Sequence, residues 1–313
     1  MKPVLLNPAF KDYLWGGTRL KTDFNKKSDL DIVAESWELS THPAGESAVA
    51  DGEYAGLTLS AYIEKIGRKY LGKNALAFDY FPLLIKFIDA KKDLSIQVHP
   101  NDEYAKEHEG EYGKTEMWYI LDCEEGAYLY YGFNRVITKE EYRQRIADNT
   151  LIEVLNRVPV KKGDVFFIEA GTVHAICSGI VICEIQQNSN TTYRVYDYDR
   201  RDANGNTRPL HIEQAIAVSI LCPPPAHTEK NTAGDCTLSS CKYFTVKKYV
   251  VDGEKNLSVT PDCFQSLIVA DGCGTLKFDG ETIPFKKGDS IFIPAQSVDY
   301  QLTGCCEVIL SYV

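Results

Sequence analysis

The feature that most restricts the fold of this chain is an internal repeat. "KKGDVFFIEAGTVH" (161–174) aligns without a gap on "KKGDSIFIPAQSVD" (286–299), and "EMWYILD" (116–122) resembles "QSLIVAD" (265–271). Two copies of one strand–turn–strand plan demand a fold that can be built twice from strands and tight turns. Lys-Lys-Gly-Asp reads as the turn into a strand, and the residues after Ala170 and Ala295 begin the next turn. The copies part at polar positions. Where the first has His174 and Glu116, the second has Asp299 and Gln265, so one polar set is present only once.

The remaining sequence agrees with a mainly β chain. "GAYLYYGF", "GIVICEIQQ", "KYFTVKKYVV" and "TLKFDG" are short, rich in aromatic and β-branched residues, and bounded by Gly, Asp or Pro. Many short strands at close spacing predict a sandwich or a closed barrel, and the repeat means that one strand–turn–strand plan occurs twice. Helical patterning is confined to 57–72, a stretch after Pro100, 138–149 and 210–220. In the third, Thr138 caps the helix and Glu141 returns the bond. The proline-rich polar stretch "CPPPAHTEKNTAGDC" (222–236) reads as a linker. It divides the chain into residues 1–235, with the polar set and helical insertions, and residues 236–313, a barrel without that set.

Composition bounds the function. At 44% hydrophobic over 313 residues the chain can build a large core. A formal net charge of −10, with no cluster of basic residues, argues against nucleic acid and anionic membrane surfaces as partners. No apolar window reaches membrane-spanning length and no secretory h-region is present, so the expected location is the cytoplasm. Ten cysteines without a CxxC pair, several inside apolar runs, read as reduced and mostly buried thiols.

Chemistry concentrates in four residues. In "SIQVHPNDEY" (95–104), Gln97 and His99 alternate with Ile96 and Val98, so both project from one side of a strand that ends at a Pro-Asn-Asp turn. Glu116 heads the next strand and His174 closes "EAGTVHA". Two imidazoles, a carboxylate and an amide oxygen form a mixed nitrogen and oxygen set suited to a divalent ion, of which zinc is the commonest. A lone histidine beside a proline turn is more often structural; four such residues at strand ends, two of them absent from the second copy, favour a metal.

Four segments, "LSIQVHPND", "GKTEMWY", "AGTVHA" and "EIQQNSNTTYRVYDYDR", together with "YLWGG" and "AESWELS", resemble the signatures of type I mannose-6-phosphate isomerases of the short bacterial form. That family is a zinc-dependent branch of the cupin superfamily. The resemblance implies two cupin barrels, one zinc ion per chain held by Gln97, His99, Glu116 and His174, and interconversion of mannose 6-phosphate and fructose 6-phosphate through an enediol. It places Arg194 on the family's catalytic arginine, Lys114 on the lysine two before the glutamate ligand, and Glu184 on a carboxylate lining the pocket. One departure is Asn190, where many relatives carry Asp.

Proton transfer falls to Glu184 or Lys114, and Lys114 also fits a cation beside a developing oxyanion. Arg194 offers a fork for phosphate or enediolate, and Ser95, on the same face as Gln97, a hydroxyl for the phosphate. Arg200 and Arg201 either share in that or form surface ion pairs with Asp199 and Asp202. Trp15 and Trp37 stack on sugar or fill a core; His42, His108, His211 and His227 receive no role. Two rival functions are a metal-binding cupin that holds a sugar without turning it over, and an iron-dependent cupin dioxygenase.

Overall fold

The Lys-Lys-Gly-Asp turn closes the same way in both copies of the repeat in the computed structural model, which describes residues 1–201, 205–227 and 230–313. Lys161 N–H donates to the Asp164 carboxylate at 2.9 Å, and Lys286 N–H donates to Asp289 at 2.9 Å. The strands that follow, Val165–Ile168 and Ser290–Ile293, pair antiparallel with Glu116–Cys123 and Gln265–Phe278. Their registers match: Ile168 faces Glu116 and Ile293 faces Gln265. The sequence repeat is therefore a structural one, and Gln265 occupies in its copy the place Glu116 holds in the other.

The chain is mainly β, in several sheets, and the described residues group into two compact units. The first comprises Met1–Asp89, Cys183–Asn188 and Lys230–Val313. Its largest sheet runs in the order Cys236–Ser240, Thr245–Val259, Val298–Tyr312, Gln265–Phe278, Ser290–Ile293, Val4–Asn7, Ala48–Val49, with Glu281–Lys286 also paired to Gln265–Phe278. The strands Ala9–Lys11, Glu35–Leu39 and Leu83–Ala90 pair antiparallel in turn. Sequence reading puts the first ninety residues with the segment ending at 235. Their grouping with the C-terminal strands follows from Val4–Asn7, which pairs with Ser290–Ile293.

Three strands of this unit are longer than their sequences suggest. Thr245–Val259 and Val298–Tyr312 each run 15 residues and Gln265–Phe278 runs 14. "QSLIVAD" and "TLKFDG" are two ends of one strand, bent where the register shifts between Val269 and Asp271. Such a bulge lets a strand curl without ending. One face carries the core of Leu267, Val269, Leu276, Ile291, Ile293, Leu302, Val308 and Leu310.

The second unit comprises Ala90–Ile182 and Ser189–Glu229. Its five-stranded sheet runs in the order Tyr193–Tyr196, Ile96–Val98, His174–Ile176, Tyr128–Phe133, Leu155–Pro159. Helices Asp102–His108, Lys139–Ala147 and Ile212–Val218 accompany it. Thr138 caps its helix as expected, accepting from Glu141 N–H at 3.1 Å. The Glu141 carboxylate does not return the bond but meets Arg135 and Arg145. All ten cysteines are free, yet only Cys177, Cys183, Cys263 and Cys306 are buried, and Cys222, Cys273 and Cys305 are exposed. Among the described residues no helix is long and apolar enough to cross a membrane.

The repeat turn supplies a stability test. Gly288 has φ of +93°, and a β-carbon there would lie 2.0 Å from the Phe24 carbonyl oxygen. Gly288→Ala is expected to cost more than about 2 kcal/mol, read as a lowered midpoint in thermal or denaturant unfolding. An unchanged midpoint would mean the turn tolerates the side chain.

Candidate active site

Strand pairing in the second unit sets out one row of side chains. Ile96–Val98 lies between two neighbours so that Gln97 faces Arg194 on one side and His174 on the other, and His174 in turn faces Tyr131. Residues directly opposite on adjacent strands share a face. Two residues beyond Gln97, His99 presents its ring 4.8 Å from that of His174, centroid to centroid. Glu116 projects toward both imidazoles. Its Oε1 lies 3.4 Å from His174 Nε2 and its Oε2 3.6 Å from His99 Nε2. All three are buried, and their ligand atoms lie within 4.8 Å of one another.

Backbone carbonyls orient the two rings. His99 Nδ1 meets the Thr191 carbonyl at 3.0 Å and His174 Nδ1 meets the Thr172 carbonyl at 2.8 Å. A carbonyl oxygen only accepts, so each Nδ1 carries its proton, and in the neutral ring the lone pair is on Nε2, the nitrogen turned to Glu116. This second-layer bond is the one that typically fixes a metal-binding histidine. The spacing fits as well: donor atoms about 2.1 Å from a shared ion at tetrahedral angles stand about 3.4 Å apart. The Gln97 amide nitrogen lies 3.4 Å from His174 Nε2, and a half-turn of the amide puts its oxygen there.

Other groups frame this cluster. Lys114 Nζ is 2.9 Å from Glu116 Oε2. Trp118, two residues beyond Glu116 and fully buried, sets its ring edge-on to His174 at 5.3 Å. Glu111 gathers the loop that supplies the Thr191 carbonyl, accepting from Asn190 N–H at 3.0 Å and from Thr191 Oγ1 at 3.2 Å. Asn190 therefore engages Glu111 through its backbone. Trp118 and Glu111 were not singled out from sequence; Trp118 sits inside "GKTEMWY" at the spacing that shares the Glu116 face.

A guanidinium cluster stands at the Arg194 end of the row. Arg194 Nε donates to Ser95 Oγ at 3.3 Å and one Nη to the Pro209 carbonyl at 3.1 Å. Arg208 grips Asp197 with two bonds, 2.7 and 2.6 Å, and Arg200 pairs with the same carboxylate. Burial raises the Asp197 pKa, but Arg208 and Arg200 outweigh it and hold the group below the usual carboxylate range. Burial and then Arg208 lower Arg194. The expected partner of Arg200 is thereby corrected, since Arg200 takes Asp197 in place of Asp199; Arg201 reaches the Gly205 carbonyl, and its expected partner Asp202 lies outside the described residues. His211, given no role from sequence, clips the Arg194 backbone. It accepts the Arg194 N–H on Nδ1 at 3.1 Å and donates its own N–H to the Arg194 carbonyl at 2.8 Å.

Glu184 belongs to the first unit, on the strand Ile180–Gln187. There its Oε1 lies 3.3 Å from Lys86 Nζ, and Lys86 Nζ is 3.7 Å from Glu35. Trp37 is fully buried and donates from Nε1 to Glu35 at 2.7 Å, and Trp15 is also buried. Both tryptophans serve the core.

Comparison with known proteins agrees with this geometry. The profile of the type I phosphomannose isomerase catalytic domain matches residues 4–127, and that of the mannose-6-phosphate isomerase cupin domain matches residues 235–313. The mannose-6-phosphate isomerase ManA of Bacillus subtilis strain 168 is 43% identical, covering 100% of this chain and 99% of its own. The chain belongs to the type I mannose-6-phosphate isomerase family. A Streptococcus mutans mannose-6-phosphate isomerase is 39% identical over 99% of this chain and 98% of its own. The crystal structure of the mannose 6-phosphate isomerase from Bacillus subtilis, 39% identical, matches with a TM-score of 0.90 over 100% of both chains.

For this isomerase-family chain the Arg–Asp cluster yields a pH test. Asp197 has a lower pKa folded than unfolded, so its stabilisation is complete above the ordinary carboxylate range and is lost as pH falls through the folded value. Asp197→Asn should melt below the wild type near neutrality, with the gap closing under acid. A gap independent of pH would show that the carboxylate charge is not what matters.

Proposed function

We propose that this chain interconverts mannose 6-phosphate and fructose 6-phosphate, with one zinc ion per chain held by Gln97, His99, Glu116 and His174. The observation that carries the metal assignment is the pair of imidazoles whose Nδ1 protons are taken by the Thr191 and Thr172 carbonyls, so that both Nε2 atoms meet Glu116. When bound, zinc would supply a Lewis acid that polarises the sugar carbonyl and makes the proton on the neighbouring carbon more acidic.

The chain's own groups do the rest. Around Asp197 and Arg194 three guanidiniums face one carboxylate, a surplus of positive charge suited to a phosphate ester. Arg194 spends Nε on Ser95 and one Nη on Pro209, which leaves its second Nη for the substrate. Arg194 and Ser95 orient the sugar phosphate, and His211 holds the Arg194 backbone in place. Lys114 sets an ammonium beside Glu116, where it stabilises negative charge developing on a substrate oxygen. Glu184 or Lys114 carries the proton between carbons. The same reading takes the copy of the repeat before residue 235 as the one with donors and the copy within 236–313 as one that has lost them, in a protein working in the cytoplasm.

Purified protein is expected to form mannose 6-phosphate from fructose 6-phosphate, to lose that activity on chelation and to regain it with zinc. Lys114→Met should lower kcat by about a hundredfold, and exchange of the C2 proton with solvent should be lost in Glu184→Gln or in Lys114→Met with metal content intact; normal exchange in both would place the base elsewhere. Turnover that survives complete metal removal contradicts the proposal. Metal binding without turnover would instead favour a cupin that holds the sugar unchanged.

A further inference from the structure

We propose that the C-terminal copy of the repeat carries a second, metal-free binding site whose ligand is a neutral hexose or hexoside. Within the first unit, a cavity of about 1110 Å³ is lined in part by Lys247, Tyr249, Gln265, Phe278, Tyr300 and Tyr312. Its residues sit at the places where the other copy has its donors. Gln265 is the counterpart of Glu116 by register, and Ser258 faces Asp299 as Gln97 faces His174; Ser258 and Asp299 line this cavity together with Lys247 and Tyr249.

Strand pairing turns these side chains inward. Lys247 faces Leu310, Tyr249 faces Val308 and Thr245 faces Tyr312, so Lys247, Tyr249 and Tyr312 share the face that carries Val308 and Leu310 into the core. The set has lost its imidazoles: a hydroxyl stands where the Gln97 amide is, a carboxylate where His174 is and an amide where Glu116 is, so at those places no nitrogen ligand remains for zinc.

It does suit hydroxyl groups. Gln265 is held at both ends: Oε1 accepts from Tyr300 Oη at 2.8 Å and Nε2 donates to the Ser258 carbonyl at 3.0 Å. Burial raises the Tyr300 pKa, which keeps its hydroxyl a donor. The fixed amide retains one N–H and one lone pair for a ligand. Tyrosine rings offer flat apolar faces to the C–H face of a sugar, and Lys247 a further donor. Charge selects against phosphate: Asp262, Asp279 and Asp299 line the cavity against Lys247 and Lys277, and three carboxylates outnumber two ammoniums.

The site does not depend on the proposed isomerase chemistry, and its test separates the two. Saturation-transfer NMR with the methyl glycosides of mannose, glucose and galactose, which carry no phosphate and cannot be isomerised, should give a saturable signal from at least one sugar. That signal should persist in a His99→Ala, His174→Ala double variant and withstand an excess of fructose 6-phosphate in it. Tyr249→Ala and Gln265→Ala should each weaken it about tenfold or more, with melting temperature as the control for folding. The proposal is overturned by absence of saturation up to about 50 mM of every glycoside, by loss of signal in the double variant, by displacement with fructose 6-phosphate there, or by undiminished binding in both Tyr249→Ala and Gln265→Ala.

Discussion

Two hydrogen bonds from imidazole to backbone organise the candidate metal centre. A neutral histidine has one donor and one acceptor nitrogen. The Thr191 and Thr172 carbonyls take the donors of His99 and His174, and the acceptors then have one direction left, toward Glu116. Without those carbonyls each ring would be free to turn a proton on Glu116, and the buried cluster would have donors where a metal needs lone pairs. The control extends outward, since Glu111 gathers the loop that presents the Thr191 carbonyl.

The repeat shows how little of the scaffold depends on those donors. Both Lys-Lys-Gly-Asp turns close on their aspartates at 2.9 Å, and both strands that leave them pair in the same register. One copy then presents Glu116 and the other Gln265. Turn chemistry and strand register fix where a side chain stands, and its identity decides what gathers there: a carboxylate with two imidazoles, or an amide braced by Tyr300.

Much of the site was legible because strand geometry is periodic. Gln97 and His99 on one face and Lys114 beside Glu116 both follow from spacing of two. His174 stood out because its repeat partner is Asp299. What escaped notice depends on long-range pairing. Arg208 joins Arg200 at Asp197 in a contact that no local pattern announces, and His211 likewise finds Arg194. Leu83–Ala90 is buried along its whole length and so lacks the alternation that marks a half-exposed strand. Glu141 has the spacing of a capping box, yet two nearby arginines compete for its carboxylate and win.

The most direct test of the account is the protonation of two rings. Long-range nitrogen–proton NMR on metal-free protein labelled at histidine reports which nitrogen of His99 and of His174 carries hydrogen. The account requires Nδ1–H in both, with Nε2 bare and shifting when zinc is added. Protonated Nε2 on either ring in the neutral state, or zinc-induced shifts confined to Nδ1, would contradict it.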